Sequence, residues 1–167
     1  MDWSLNTVDM EATLHEAMAT LAGLIKENDV IVDVNIPDNL PKVRADRDQL
    51  IQVIINLVSN AIKFCDKSNG RIDVAVSVAD NMLEVSVSDN GKGIPENMSM
   101  RIFEKFHQSL DRDEDKPQGS GLGLAICREI VTFHGGQVWV VNKPEGGAVF
   151  SFTVPRADRL EARLSAE

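Results

Sequence analysis

The sequence predicts an α+β fold of two layers, a mixed and mostly antiparallel sheet covered on one face by helices. Three observations lead there. Strand-like stretches alternate apolar and polar residues and come in adjacent pairs joined by short turns, which favours hairpins over strand-helix-strand crossovers. Between the pairs lie stretches with apolar residues at three- and four-residue spacing, the mark of helices with one core-facing stripe. With 167 residues the chain is one domain, large enough to bury roughly 70% of its unfolded surface without a metal or disulfide staple.

The elements follow in order. Residues 9–27 carry Met10, Leu14, Ala17, Met18, Leu21 and Leu24 on one stripe and predict the first helix. "VIVDVNI" (30–36) is β-branched and alternating, a strand closed by "PDNLP". Asp46 is placed to cap a second helix running to about Phe64, whose core face is Leu50, Val53, Ile54, Leu57, Val58 and Ala61. Strands at about 71–79 and 82–88 form a hairpin through Asp80-Asn81. A short helical piece is expected at 98–106, then a polar loop without periodicity at 108–119. A third helix after "SGLGLAI" stops near His134 at Gly135-Gly136. Strands at about 137–142 and 147–154 pair around "NKPEGG", and a charged tail, 156–167, ends the chain.

Composition narrows the function. The formal charge is −9, from 17 basic and 26 acidic residues, and no basic cluster appears, so a nucleic-acid surface is excluded. A phosphate ligand would have to be held locally, against the overall field. No apolar run reaches roughly eighteen residues and no basic stretch precedes an apolar one at the start, so neither a membrane span, a membrane contact nor a signal peptide is expected. Any membrane anchoring would lie in other segments of a parent protein. Cys65 and Cys127 lack metal-ligand spacing and read as buried thiols of a cytoplasmic protein.

Four stretches carry chemistry. On the second helix Gln49, Gln52, Asn56, Asn60 and Lys63 share one polar strip beside the core face. It could be merely solvated, but asparagine costs about 0.5 kcal/mol against alanine inside a helix, and here two stand one turn apart. Paired amides followed by a lysine suit a magnesium-phosphate site, the amide oxygen as a metal ligand and the ammonium on a phosphate. "DNGKGIP" (89–95) places Asp89 at a strand end, followed by glycines that let backbone approach a flat ligand closely. A carboxylate there can accept from an exocyclic amine, the feature that separates adenine from guanine. "GSGLGLAI" (119–126) opens a helix with alternating glycines, so several N–H groups and the helix's positive end converge as an anion cradle. It matches neither the dinucleotide fingerprint nor a P-loop. The acidic loop before it has the composition of a lid over phosphates or of a solvated connection. "RIFEKFHQ" supplies Ile102, Phe103 and Phe106, read as core, while His15, His107 and His134 read as structural.

Taken together and in this order, the four stretches resemble the ATP-binding catalytic domain (HATPase_c, of the GHKL or Bergerat superfamily) of bacterial sensor histidine kinases. "NLVSNAIKF" is similar to that family's N box, "DNGKGIP" to its G1 box, "IFEKF" to its F box and "GSGLGLAI" to its G2 box, over residues of about 5–155. The resemblance implies that Asn60 ligates Mg²⁺, Lys63 reaches a phosphate, Phe64 lies against the adenine and Asp89 accepts from its amino group. Gly91, Gly93 and Ile94 would shape that pocket, with Thr153 completing a water-bridged contact near Asp89. Gly119, Ser120, Gly121, Leu122, Gly123 and Leu124 would carry the triphosphate. Related chaperone, topoisomerase and mismatch-repair ATPases have a water-activating glutamate where Asn56 stands, and an amide cannot be a general base. Transfer of the γ-phosphoryl group to a protein side chain is then favoured over hydrolysis. Gln108 occupies a position where many relatives carry a basic residue that assists transfer.

The resemblance also sets the organisation. Residues 1–8 would be the remnant of a linker from dimerisation helices, 9–155 the catalytic domain and 156–167 the tail. His15 is followed by Glu16 but not by the arginine and proline of the family's acceptor motif. The phosphoacceptor histidine is therefore expected on a dimerisation domain outside this chain, with a response regulator downstream, and the isolated domain is expected to be monomeric and inactive in autophosphorylation. Two alternatives remain open: an anti-sigma-type serine kinase, or a degenerate module that binds nucleotide without transferring it.

Overall fold

The computed structural model describes residues 2–99, 101–104 and 123–158. In chain order its elements are β1 (Asn6–Val8), α1 (Met10–Glu27), β2 (Ile31–Asn35), β3 (Val43–Ala45), α2 (Arg47–Phe64), β4 (Arg71–Ala79), β5 (Met82–Asp89), a 3₁₀ turn (Glu96–Met98), α3 (Gly123–Phe133), β6 (Val138–Asn142) and β7 (Ala148–Pro155). Five strands form one sheet in the order β2-β4-β5-β7-β6, with only β2–β4 parallel. That is the predicted two-layer α+β fold. Among the described residues no helix is long and apolar enough to cross a membrane.

Strand alternation decides which face is buried. Ile72, Val74 and Val76 of β4, Leu83, Val85 and Val87 of β5, and Phe150, Phe152 and Val154 of β7 are buried on the inner face, while Glu84, Ser86, Ser88 and Thr153 turn outward. The six α2 residues assigned to the core face are all buried, as is Ile62, and they pack against α1 and the sheet. Burying one such side chain stabilises the fold by about 1.5–3 kcal/mol. Asp89 continues the inner face of β5 and is only 3% exposed.

Helix ends show the expected chemistry. Asp46 caps α2, its Oδ1 accepting from Gln49 N at 3.2 Å. α3 ends in a Schellman arrangement, with Gly135 N donating to Thr132 O and Gly136 N to Val131 O, both at 3.0 Å, and Gly135 at φ +85°. His134 ties the two helices together. Its Nδ1–H donates to Ile130 O at 2.7 Å while Nε2 accepts the backbone N–H of Asp46 at 2.9 Å. Trp3 stacks on His134 at 6.2 Å and meets Phe133 edge-on at 4.7 Å, and Ser4 N donates to Asp46 Oδ2.

Two features were not anticipated. β1 and β3 make a separate antiparallel pair, each of three residues, too short for alternation to register in a sequence. The short helix expected at 98–106 is, where described, a series of tight turns with one α-type bond, Ile102 N to Met98 O at 2.9 Å; Met98 N bonds Pro95 O, Arg101 N bonds Met98 O and Glu104 N bonds Arg101 O. The last three of these are three-residue spacings, which favour 3₁₀ over α geometry along most of the segment. The expected loop at 108–119 lies outside the described residues, as does the tail beyond 158.

Candidate functional site

The polar strip of α2 runs from the start of α3 to the turn that follows β5. At its near end, Gln52 Nε2 donates to Asn56 Oδ1 at 3.0 Å, and Asn56 Nδ2 donates to Gly123 O at 3.3 Å. Asn56 therefore fastens α2 to the first residue of α3. One turn on, Asn60 Nδ2 is buried with no hydrogen-bond partner, the only such side-chain nitrogen or oxygen among the described residues. Proteins seldom leave a buried amide unpaired, because the lost hydration costs about 1–3 kcal/mol. Lys63 is exposed, and Phe64 closes the helix with 48% of its surface in solvent.

At the far end three consecutive residues divide the work of the turn. Asp89 Oδ1 accepts from Gly91 N at 2.8 Å and from Ala148 N at 3.4 Å, and no described donor reaches Oδ2. Burial pushes the Asp89 carboxyl above its ordinary pKa, only partly offset by those two N–H groups and the charge of Lys143. Asn90 points the other way. Its Oδ1 accepts from Asp66 N and Arg71 N, both at 3.1 Å, and its Nδ2 donates to Asn69 O, so it fixes the exit of α2 to the end of β5. Gly91 lies against the last residue of α2; a Cβ there would stand 1.8 Å from Phe64 O. That close approach brings the backbone of Phe64, whose side chain is exposed, against the Asp89 turn.

The turn then crosses to β6. Gly93 takes φ +80° and Ile94 pairs with the side chain of Asn142, N to Oδ1 at 2.8 Å and O to Nδ2 at 2.6 Å. Asn142 and Lys143 were not singled out from the sequence. An asparagine heading a turn is ordinary, and nothing in "NKPEGG" signals a partner 48 residues away.

Of the predicted site residues, Asn60, Lys63 and Phe64 share the strip, while Asp89, Gly91, Gly93 and Ile94 form the turn beside its end. Gly123 and Leu124 open α3 next to Asn56. Thr153 is not brought to this place. It pairs with Glu84 on the outer face, opposite to Asp89, and its hydroxyl accepts from Gln137 N at 2.9 Å. The strand's period of two puts position 153 on the wrong side, and the backbone of Ala148 stands by Asp89 instead. Gln108, Gly119, Ser120, Gly121 and Leu122 lie outside the described residues, as do Phe106 and His107. Phe103 is core, 6% exposed and edge-on to Phe150 at 6.1 Å. His15 is exposed on α1. Both cysteines are free and buried, and burial pushes the Cys127 thiol up to about 12.

Comparison with known proteins identifies the family and the fold. Residues 45–158 match the family described as histidine kinase-, DNA gyrase B-, and HSP90-like ATPase. The adaptive-response sensory kinase SasA of Synechococcus sp. (strain CC9902) is 40% identical over 149 residues, which is 89% of this chain and 38% of that kinase. The chain thus spans little more than a third of the curated relatives it matches. Among solved structures, the catalytic domain of histidine kinase ThkA superposes with a TM-score of 0.80 at 30% identity, over 92% of this chain and 98% of that one. Full-length ShkA in complex with AMPPNP gives a TM-score of 0.80 at 32% identity, over 94% of this chain and 32% of that one.

Proposed function

The chain belongs to the histidine kinase-, DNA gyrase B- and HSP90-like ATPase family, and on that premise we propose that it binds Mg-ATP and donates the γ-phosphoryl group to a histidine presented by a separate dimerisation domain. The observation that carries this reading is Asp89: a buried carboxylate with one oxygen held by backbone and the other without a described donor, in a turn whose Gly91 abuts the backbone of Phe64, a residue with an exposed side chain. An adenine offers an amino group to such an oxygen and a flat face to a phenyl ring. The AMPPNP bound by ShkA, a structural relative, supports the choice of nucleotide.

The residues present also fit a magnesium ion. The unpaired amide of Asn60 is a side chain whose hydrogen-bonding capacity the fold leaves over, and rotation about its last bond exchanges nitrogen for oxygen. Asn60 would hold the metal and Lys63 would meet a phosphate. When bound, Mg²⁺ neutralises phosphate charge as it develops. From Asn56 to Phe64 the helix rises about 12 Å, a length suited to a nucleotide lying along it with its base at Phe64 and Asp89 and its phosphates toward the start of α3.

Asn56 bears on the reaction class. Its amide is engaged by Gln52 and Gly123 and has no basic lone pair to take a proton from water. Catalysis on this reading is positioning and charge stabilisation, with the acceptor side chain brought in from outside. A response regulator would receive the phosphoryl group afterwards. The experiment is to mix the chain with Mg-[γ-³²P]ATP and a dimerisation helix pair from a SasA-type kinase. Acid-labile label on the helix-pair histidine is expected, with none without the pair. Acid-stable phosphoserine would favour the serine-kinase alternative, and nucleotide binding without transfer the degenerate module.

A further inference from the structure

We infer that Asn142 is a positioning residue for the base-binding turn, acting as a two-bond clamp that sets where the Asp89 carboxylate and Ile94 stand; this rests on the proposed nucleotide site. The sheet order explains the need for it. β5, which ends in Asp89, neighbours β7, and β6 lies beyond. The segment from Gly91 to Ile94 arches over the start of β7 to reach the end of β6. The near foot of this arch is anchored by Gly91 N on Asp89 Oδ1 and by the Asn90 amide. Its far foot has two described hydrogen bonds, both to the side chain of Asn142, which accepts from Ile94 N at 2.8 Å and donates to Ile94 O at 2.6 Å.

An amide is the side chain this geometry requires. It offers an acceptor and a donor side by side, and so imitates one residue of a β-ladder where the chain has left the sheet. Aspartate keeps the acceptor but turns a negative oxygen toward Ile94 O. Alanine keeps neither. Packing leaves little alternative, since a Cβ on Gly93 would stand 2.7 Å from Asn142 Oδ1. The backbone of Asn142 pairs with Ala148, whose N–H reaches Asp89 Oδ1. The clamp and the carboxylate's second anchor therefore share one rung of the β6–β7 hairpin.

The test is calorimetric titration of wild type, Asn142→Ala and Asn142→Asp with Mg-ATP, adenosine and Mg-tripolyphosphate, together with hydrogen exchange at the Ile94 amide. In Asn142→Ala, affinity for adenosine and for Mg-ATP should fall by the same factor, about tenfold or more. Mg-tripolyphosphate binding should be unchanged, Ile94 exchange faster and the unfolding transition cooperative. Asn142→Asp should lose as much or more. Wild-type affinities in both variants, or an equal loss for tripolyphosphate, would overturn the clamp while leaving the nucleotide site standing. A wild type that binds no nucleotide would overturn the site itself, and the clamp with it.

Discussion

Replacing Asp89 by asparagine separates binding from stability. The side chain is 3% exposed and Oδ1 already takes Gly91 N at 2.8 Å and Ala148 N at 3.4 Å. An asparagine oxygen can keep both bonds, which forces its NH₂ into the place of Oδ2. The group facing the ligand then changes from acceptor to donor, and an adenine amine meets a second donor. A hydrogen bond to a charged group contributes about 1.5–3 kcal/mol, so Mg-ATP affinity should fall about tenfold to a hundredfold or more. Mg-GTP, whose base presents a carbonyl there, should lose less, narrowing the preference. Stability should move the other way. The folded carboxyl has a raised pKa, chiefly from burial, so its stabilising contribution is full below the unfolded pKa and is lost as pH rises through the folded value. At neutral pH the neutral amide escapes that cost, and Asp89→Asn should unfold at or above the wild-type midpoint. Calorimetry with both nucleotides and denaturant unfolding at pH 7 and near pH 4 decide it. Undiminished ATP affinity, or a large loss of stability alongside the loss of binding, would refute the reasoning.

Other expectations follow from single contacts. Asn60→Ala removes an unpaired amide and should leave the unfolding midpoint nearly unchanged while abolishing the difference in ATP affinity between magnesium and EDTA. His134→Ala breaks bonds to Asp46 N and Ile130 O and uncovers Trp3 and Phe133; a loss of about 2–4 kcal/mol is expected by urea titration. Gly91→Ala would drive a methyl to 1.8 Å from Phe64 O, so the turn must move, with a loss of about 1–3 kcal/mol and of nucleotide binding. Asn56→Asp puts a carboxylate against Gly123 O, at 3.3 Å from the present amide nitrogen, and should weaken Mg-ATP binding without producing steady hydrolysis, measured by phosphate release.

The α2 core face, the hairpins and the Gly135-Gly136 stop of α3 were legible because each is a local matter of periodicity, turn chemistry or capping. The six core positions from Leu50 to Ala61 are all buried as read. What escaped was set by distance or brevity. β1 and β3 hold three residues each and are stabilised by each other and by contacts such as Trp3 on His134. Asp89 could be placed at a strand end by alternation, but its partner Ala148 follows from strand order, and Asn142's reach to Ile94 follows from the arch. Thr153 failed for the same reason: its role came by resemblance, while register fixed its face. The two amides of Asn56 and Asn60 look alike in sequence, yet one is bonded twice and the other is left with an unpaired nitrogen.

The claim beneath all of this is that α2's polar strip, the Asp89 turn and the start of α3 border one nucleotide cleft. An NMR titration of the ¹⁵N-labelled chain with Mg-AMPPNP tests it most directly. Saturable shifts should gather at the amides of Asn60, Phe64, Gly91, Gly123 and Ala148 and spare the cavity of about 370 Å³ lined by Met18, Ile25 and Val32. Shifts centred on that cavity instead, or none at millimolar nucleotide, would contradict the account.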